Sequence, residues 1–427
     1  MDLLGQEYNN DQKPKSKGKK VVLNLLIVSI VLLVVVIALI YLVKTNQPKK
    51  ATLSVNGENK NVISGLIIND QASGKKYVSL KDVAPLIGYE YQNGEYLQYE
   101  ESRTKGYLEN NNQIVGFELE SNKIYKTTPN TDVGFAYYNI KNPIIQSNEK
   151  LYVALEDFNT TCDALLTYSE ENDRTEICTT DYLAEKYEKK LIELGTYKSI
   201  NKSFENQKAI IYNILIVAKS EEKESDIKYG VINTNMQQII TPKYKEITYN
   251  EYTGNFIVAA SNGKYGVISK DGQEVIVEVK YDSVRIISYE PLLYEVKLNN
   301  KYGVINEKGK IIANTEYDKL GCAGDKTKEY NGVLIIKDVY ENKDGIVVCK
   351  DNKYGIINLE TGREITPIVN EVTRIYSKTD NTGKEEYYVE FDGKEASLSS
   401  YVDYVNTISI NVQKRQIRIL IWCCQTI

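Results

Sequence analysis

Lys228-Tyr229-Gly230-Val231-Ile232-Asn233 returns as Lys264-Tyr265-Gly266-Val267-Ile268-Ser269. It returns again as Lys301-Tyr302-Gly303-Val304-Ile305-Asn306 and as Lys353-Tyr354-Gly355-Ile356-Ile357-Asn358. The motif tyrosines stand 36, 37 and 52 residues apart. Each copy is rich in aromatic and β-branched residues and reads as a short strand. A turn follows it: Asp271-Gly272, Lys308-Gly309 and Thr361-Gly362, with Asn235 in the first copy. Gly or Asn there supplies the positive φ that a tight hairpin needs. The second strand is Gln238-Ile239-Ile240, Glu274-Val275-Ile276, Lys310-Ile311-Ile312 or Arg363-Glu364-Ile365, and Tyr244, Tyr281 and Tyr317 close three of the copies. A further strand precedes the next motif: Phe256-Ile257-Val258, Leu293-Tyr294-Glu295-Val296, and Gly345-Ile346-Val347-Val348. The pattern predicts about three strands per period and an all-β repeat array over residues 205–400, which takes in a degenerate hairpin from Tyr387 to Gly393. One such unit cannot hide its own apolar face, so neighbours must stack to complete a core. Three strands per copy predict an open stack rather than closed four-stranded blades.

The recurring Tyr-Gly motif resembles the WG-repeat family, with Tyr standing where that family more often has Trp. The resemblance covers roughly residues 205–375. Gly230, Gly266, Gly303 and Gly355 let backbones approach or seat a bulge. Tyr229, Tyr265, Tyr302 and Tyr354 are candidates for a ligand-stacking face; at fixed repeat positions, internal packing is the competing reading. Copies three and four are separated by about 15 extra residues centred on the run from Leu320 to Gly332, LGCAGDKTKEYNG. Loops on repeat arrays carry function, which makes this insertion the first candidate for a contact feature; a neutral surface insertion is the competing reading.

Residues Val21 to Val43 form an uncharged run, VVLNLLIVSIVLLVVVIALIYLV. As a helix it reaches roughly 34 Å, the length of a bilayer crossing. Lys13, Lys15, Lys17, Lys19 and Lys20 precede it, against Lys44, Lys49 and Lys50 after it. The lysine excess predicts a single-pass signal anchor with residues 1–20 as a cytoplasmic tail, the span at 21–43, and everything after it outside the cell membrane. The apolar core is too long for a cleaved signal peptide and lacks a small-residue cleavage site.

Tyr77-Val78-Ser79-Leu80-Lys81-Asp82-Val83 is echoed by Tyr152-Val153-Ala154-Leu155-Glu156-Asp157-Phe158. In each, a strand runs into a helix start, with Ser79 placed to cap the first helix and Asp82 in its first turn. The hydrophobic strands Leu66-Ile67-Ile68 and Pro143-Ile144-Ile145 precede the two copies. The echo predicts a duplicated α+β unit over residues 50–180. Ser54-Val55-Asn56-Gly57, Ile67-Ile68-Asn69-Asp70 and the run from Tyr77 to Tyr96 resemble the copper amine oxidase N-terminal-like domain. That resemblance implies a small α+β stalk module of Gram-positive bacterial surfaces, with neither copper ligands nor a redox cofactor. Residues 181–204 read as a connecting amphipathic helix, with Leu183, Tyr187, Leu191 and Leu194 on one stripe.

The chain has 427 residues and no histidine, which removes His-based triads, bases and metal ligands. Its net charge of −5 and lack of a basic block in the main body argue against nucleic acid as a partner. No catalytic, cofactor or metal residue is expected. Cys162 with Cys178, and Cys322 with Cys349, are candidate disulfides outside the cytoplasm. Carboxylate pairs such as Glu170-Glu171 and Glu385-Glu386 sit in no recognisable motif. The tail at 401–427 is atypical; from Gln413 it holds the sole Trp and the adjacent Cys423-Cys424. The reading is a non-enzymatic, membrane-anchored surface protein whose array binds a protein or cell-wall glycan partner. A carboxylate-dependent envelope hydrolase and a transmembrane sensor or scaffold are the alternatives.

Overall fold

The computed structural model describes residues 17–45, 51–94, 104–127, 129, 136–219, 227–289, 291–321, 335–369, 372–379 and 385–408. Residues 1–16, Tyr96, Tyr99, the insertion from Cys322 onward and the tail carrying Cys423 and Cys424 lie outside the described residues. The chain divides into two compact units, residues 1–52 with 169–174, and residues 53–168 with 175–427.

The first unit contains the helix Lys17–Thr45. Its described side chains run from 25 to 39, and all are exposed, Leu25 through Leu39. Fifteen residues cover only about 22 Å of helix. Among the described residues no helix is long and apolar enough to cross a membrane.

An α+β body follows in the chain. Its two small sheets run in the strand orders Ala164–Ser169, Arg174–Thr179, Thr52–Val55, Glu58–Lys60 and Ile145–Ser147, Lys150–Ala154, Lys76–Ser79, Ile67–Asn69. A five-stranded meander joins them, from Glu90–Asn93 through Thr104–Glu109, Ile114–Glu118 and Lys123–Thr127 to Ala136–Asn139. The echoed strands pair with each other antiparallel: Tyr77 opposite Ala154, Val78 opposite Val153, Ser79 opposite Tyr152. The two copies are therefore related by a local two-fold through the Val78–Val153 pair. After each strand the chain turns into a helix start. Ser79 Oγ accepts the Asp82 N–H at 3.2 Å, while Ala154 in the second copy provides no side-chain cap. Val78, Leu80, Val153, Phe158, Phe117 and Ile177 form the core of this body.

The helix Thr180–Leu194 follows, started by Thr179 and stopped by Gly195 in the left-handed conformation. Its Leu183, Ala184 and Leu191 pack with Ile200, Leu215, Val217 and Ile232 of the first array sheet, so the helix covers that end of the array. Leu194 departs from the expected stripe and is exposed.

Among the described residues, four antiparallel sheets then succeed one another, three of four strands and one of five, each built around a motif strand. The first runs Ser199–Ile200, Ile214–Lys219, Lys228–Asn233, Gln238–Tyr244, and the second Glu246–Tyr249, Phe256–Ala259, Tyr265–Ile268, Val275–Tyr281. The third runs Ser283–Tyr289, Leu292–Leu298, Lys301–Asn306, Ile311–Tyr317. In the fourth, Lys319–Leu320 and Ile335–Tyr340 share one edge of Lys343–Lys350, followed by Lys353–Asn358 and Glu364–Val369. A fifth sheet holds Val372–Thr379, Glu385–Phe391 and Lys394–Ser397, followed by a helix over 398–408.

The expectation of three strands per copy is corrected to four. The extra strand begins two residues after the closing aromatic, with only Lys245, Asp282 or Asp318 between, and no Gly or Pro marks that boundary. Each core lies between successive sheets. Val231, Ile240 and Tyr244 meet Ile247, Phe256 and Val258; Val267, Val277 and Tyr281 meet Val284, Tyr294 and Val296. Val304, Ile312 and Tyr317 meet Leu320, Ile346 and Val348; Val347, Tyr354 and Ile356 meet Val372, Ile375 and Val389.

Candidate functional site

At the motif glycines the partner strand's backbone lies close. Tyr302 pairs with Tyr317 and Val304 with Ala313, so two residues of the motif strand face four of its partner. The same bulge separates Tyr229–Tyr244 from Val231–Ile240, and Tyr265–Tyr281 from Val267–Val277. The bulged backbone presses onto the glycine: a β-carbon on Gly303 would lie 2.7 Å from the Ala313 carbonyl oxygen, and one on Gly266 2.5 Å from that of Val277. Gly230 meets Ile240 in the same way, and Gly355 meets the Ile368 side chain and the carbonyls of Thr366 and Pro367. Tyr229, Tyr265 and Tyr302 are half-buried, while Tyr354 is buried against the fifth sheet's core. Lys297 lies over the Tyr302 ring and Lys319 over that of Tyr354. The four motifs lie in successive sheets and serve the same packing role in each.

The hairpin turn differs in the first copy. Positive φ falls on Gly272, Gly309 and Gly362 as expected, but in the first copy it falls on Met236 (φ 67°), not on Asn235. Asn235 instead donates its backbone N–H to Asn233 Oδ1. Met236 packs into the core beneath the helix Thr180–Leu194, where later copies have the preceding sheet.

The insertion leaves the first strand of the fourth sheet between neighbouring register positions. Gly321 N–H donates to Val347 O at 2.8 Å, and Ile335 already pairs with Ile346. The disulfide expectation for Cys162 and Cys178 is corrected. Cys162, Cys178 and Cys349 are free and buried. Cys162 sits in the core of the α+β body and Cys178 in the core below Thr180–Leu194.

The most concentrated chemistry lies at none of the residues singled out from the sequence. Lys126, on the strand Lys123–Thr127, reaches Asp163 Oδ1 at 2.7 Å and Glu251 Oε1 at 2.5 Å. Lys208, on the short helix Phe204–Lys208, lies 3.2 Å from Glu251 Oε2 and 3.4 Å from Asp163 Oδ2. Gln113 Nε2 donates to Asp163 Oδ2 at 2.6 Å, and Gln113 Oε1 accepts from Lys208. Tyr89 Oη donates to the same Asp163 oxygen at 3.4 Å, and Tyr212 Oη to Glu251 Oε1 at 3.3 Å. All four charged side chains are less than 10% exposed. Two cations and two anions are thus enclosed together.

This cluster joins separate parts of the second unit. Asp163 and Lys126 belong to the α+β body, Lys208 to the connector, and Glu251 to the first hairpin loop of the second sheet. Tyr252, the next residue in that loop, sits between the rings of Tyr138 and Tyr289, with centroids 5.5 and 4.7 Å away. Asn206 ties the connector to the same hairpin, donating to Ile247 O and accepting the Tyr249 N–H, both at 2.8 Å.

The electrostatics follow from that enclosure. Burial opposes charge on Asp163, but Lys126 and Lys208 outweigh it and hold the carboxyl down at about 2. Burial likewise opposes charge on Lys126, and Asp163 and Glu251 overcome it, pushing the ammonium above its usual range. Burial and the nearby Asp163 charge push Cys162 up, so this thiol is unreactive.

Asp163 is also conformationally unusual. It ends the helix Phe158–Cys162 in the left-handed conformation, φ 47°. Counted from the echoed tyrosines, its counterpart in the first copy is Gly88, φ 79°. Asp at a position where the sister copy has Gly is the one sequence signal that pointed here. The lysines and the carboxylates they contact lie 37 to 125 residues apart along the chain, with no spacing to betray them. Among the described residues no group of His, Cys, Asp and Glu is placed to hold a metal ion.

The WG containing repeat family model matches residues 229–265, 265–302 and 302–322, the first three motif copies. No curated protein matches the chain. Among solved structures, the chain is similar to the WD40 domain of Toxoplasma gondii coronin at 11% identity and a TM-score of 0.18, covering 44% of this chain and 55% of that one. The chain thus spans little more than half of that domain. It is also similar to Saccharomyces cerevisiae Sqt1 at 10% identity and a TM-score of 0.21, covering 80% and 93%. The β-propeller domain of the Trilobed protease from Pyrococcus furiosus gives 11% identity and a TM-score of 0.15, covering 67% and 93%. These likenesses are too slight to place the chain in any of those folds.

Proposed function

We propose that this is a membrane-anchored surface protein whose β-repeat array is a non-catalytic binding platform for a protein or cell-wall glycan. The observation that carries the reading is the succession, among the described residues, of five sheets, each sharing its core with the next. Such a body spends its motif residues on internal packing and offers loops and sheet edges to partners. The clustered carboxylates Asp163 and Glu251 are enclosed and neutralised by lysines, an arrangement suited to holding parts together rather than to turning over substrate.

The anchor is the Val21–Val43 run inside the helix Lys17–Thr45, with its flanking lysines. The apolar side chains of residues 25–39 are exposed on every face, as lipid would favour. The lysine bias sets the N-terminus in the cytoplasm and residues beyond the span outside. The α+β body is a stalk module of the copper amine oxidase N-terminal-like type, a reading supported by its paired, duplicated strand-to-helix units.

Two experiments test this. Intact cells treated with protease should lose the array and keep the anchored N-terminus; full protection of the array overturns the topology. The region from Lys50 onward should be retained on purified cell envelope without degrading it. Envelope hydrolysis abolished by a single Asp or Glu substitution would establish the enzymatic alternative instead.

A further inference from the structure

We propose that Lys126 and Asp163 condense with each other to form an intramolecular amide bond inside the buried cluster, with Glu251 as the catalytic base. The parts an acyl transfer needs are all in place: a nucleophile, an acyl carbon, donors for the developing oxyanion, and a proton shuttle. Lys126 Nζ lies 2.7 Å from Asp163 Oδ1, the oxygen that leaves. The other carboxyl oxygen, Oδ2, faces Gln113 Nε2 at 2.6 Å, with Lys208 Nζ and Tyr89 Oη each at 3.4 Å. Glu251 Oε1 lies 2.5 Å from Lys126 Nζ, against the nucleophile rather than the acyl carbon.

The step balances without any oxidant or co-reactant. Proton transfer within the ion pair converts ammonium and carboxylate into amine and carboxylic acid. The amine lone pair attacks Cγ, and negative charge gathers on Oδ2 among its three donors. Glu251 takes a second proton from nitrogen and delivers it to the departing Oδ1 hydroxyl. The Cγ–Oδ1 bond breaks, an Nζ–Cγ bond replaces it, and one water leaves. Glu251 is regenerated as a carboxylate.

The cluster's composition suits this outcome. Condensation removes one positive and one negative charge, and Lys208 with Glu251 remains as a balanced pair at 3.2 Å. The left-handed backbone of Asp163 holds an acyl group against Lys126 at a cost in strain that its sister position avoids with Gly88. The ion pair is the resting form, so the neutral pair that reacts is the minor one and the bond accumulates slowly after folding. Once made, it ties the meander strand Lys123–Thr127 covalently to the end of the second-copy helix.

The intact mass of the full chain, extracted from membranes in detergent, decides the matter. We expect it to be lighter than the sequence mass by one water, with a branched proteolytic fragment joining Lys126 to Asp163. Glu251→Gln should retain the sequence mass while keeping the native circular dichroism spectrum. A wild-type protein that stays at its sequence mass after prolonged incubation overturns the proposal. So does a water loss that maps to any other pair, Lys208 with Glu251 included. Because the wild-type mass alone settles it, a misfolded variant leaves the test intact.

Discussion

Gly272 faces the carbonyl oxygen of Ile239, one sheet back in the array, and a β-carbon on it would lie 2.5 Å from that oxygen. Gly309 stands in the same relation to Ile276, at 2.6 Å, and Gly362 to Ile312. These turns satisfy two demands at once: positive φ within their own hairpin and close approach between sheets.

Gly272→Ala should therefore cost more than a turn glycine ordinarily does. Gly393 provides the control, with φ 67° and nothing within 4 Å of its would-be β-carbon. Gly393→Ala should destabilise by about 1 kcal/mol from backbone strain alone. Gly272→Ala adds a backbone clash and should cost about 2–4 kcal/mol. Denaturant unfolding of the two variants side by side measures the difference; equal losses would remove the inter-sheet role.

The same position shows what the sequence could and could not disclose. The hairpins and the stacking logic follow from period and turn residues alone. Met236 does not, because its environment is set by the helix Thr180–Leu194, which takes the place of a preceding sheet. A strand begun two residues after Tyr244, Tyr281 or Tyr317 is likewise invisible without a turn signal. The buried cluster was legible only through the Gly88–Asp163 mismatch between duplicated units. Lys126, Lys208 and Glu251 are ordinary charged residues until the fold encloses them.

Glu251 is the residue on which the cluster's neutrality turns. Glu251→Ala leaves at least Lys208 enclosed without a full countercharge, whether or not Lys126 remains charged. Removing one partner of a buried pair typically costs about 3–5 kcal/mol. The loss should appear as a lowered denaturation midpoint and as faster proteolysis in the connector around Thr196 to Lys202. A Lys208→Met, Glu251→Leu double variant should recover much of it, because no charge is then left uncompensated. Failure of that rescue would show that the loop needs the ions for geometry, not merely for balance.

The insertion offers a separable function. Gly321 and Ile335 occupy neighbouring positions along Lys343–Lys350, opposite Val347 and Ile346. Deleting residues 322–334 and joining the two ends restores a continuous strand. Stability should change by no more than about 0.5 kcal/mol. If the insertion is the platform's contact feature, envelope retention falls while the melting temperature holds. Unchanged retention would move the binding face elsewhere on the array.

Acid sensitivity should report on the interface between the two duplicated units. Glu156 lies 2.8 Å from Lys75 Nζ and accepts from Asn142 Nδ2 at 2.8 Å. The Lys75 hydrogen bond, then that of Asn142, pulls its carboxyl from 4.5 down to about 2. A folded value below the unfolded one means that the ionised form favours the fold. Its contribution is complete above pH 4.5 and is lost as pH falls toward about 2. The group is solvent-exposed, so the effect is small and screened by salt. Glu156→Gln should flatten the stability–pH curve across that window in low salt and leave it unchanged near neutrality apart from a constant offset. A variant whose curve still falls with the wild-type slope between those limits would assign the acid sensitivity to other carboxylates.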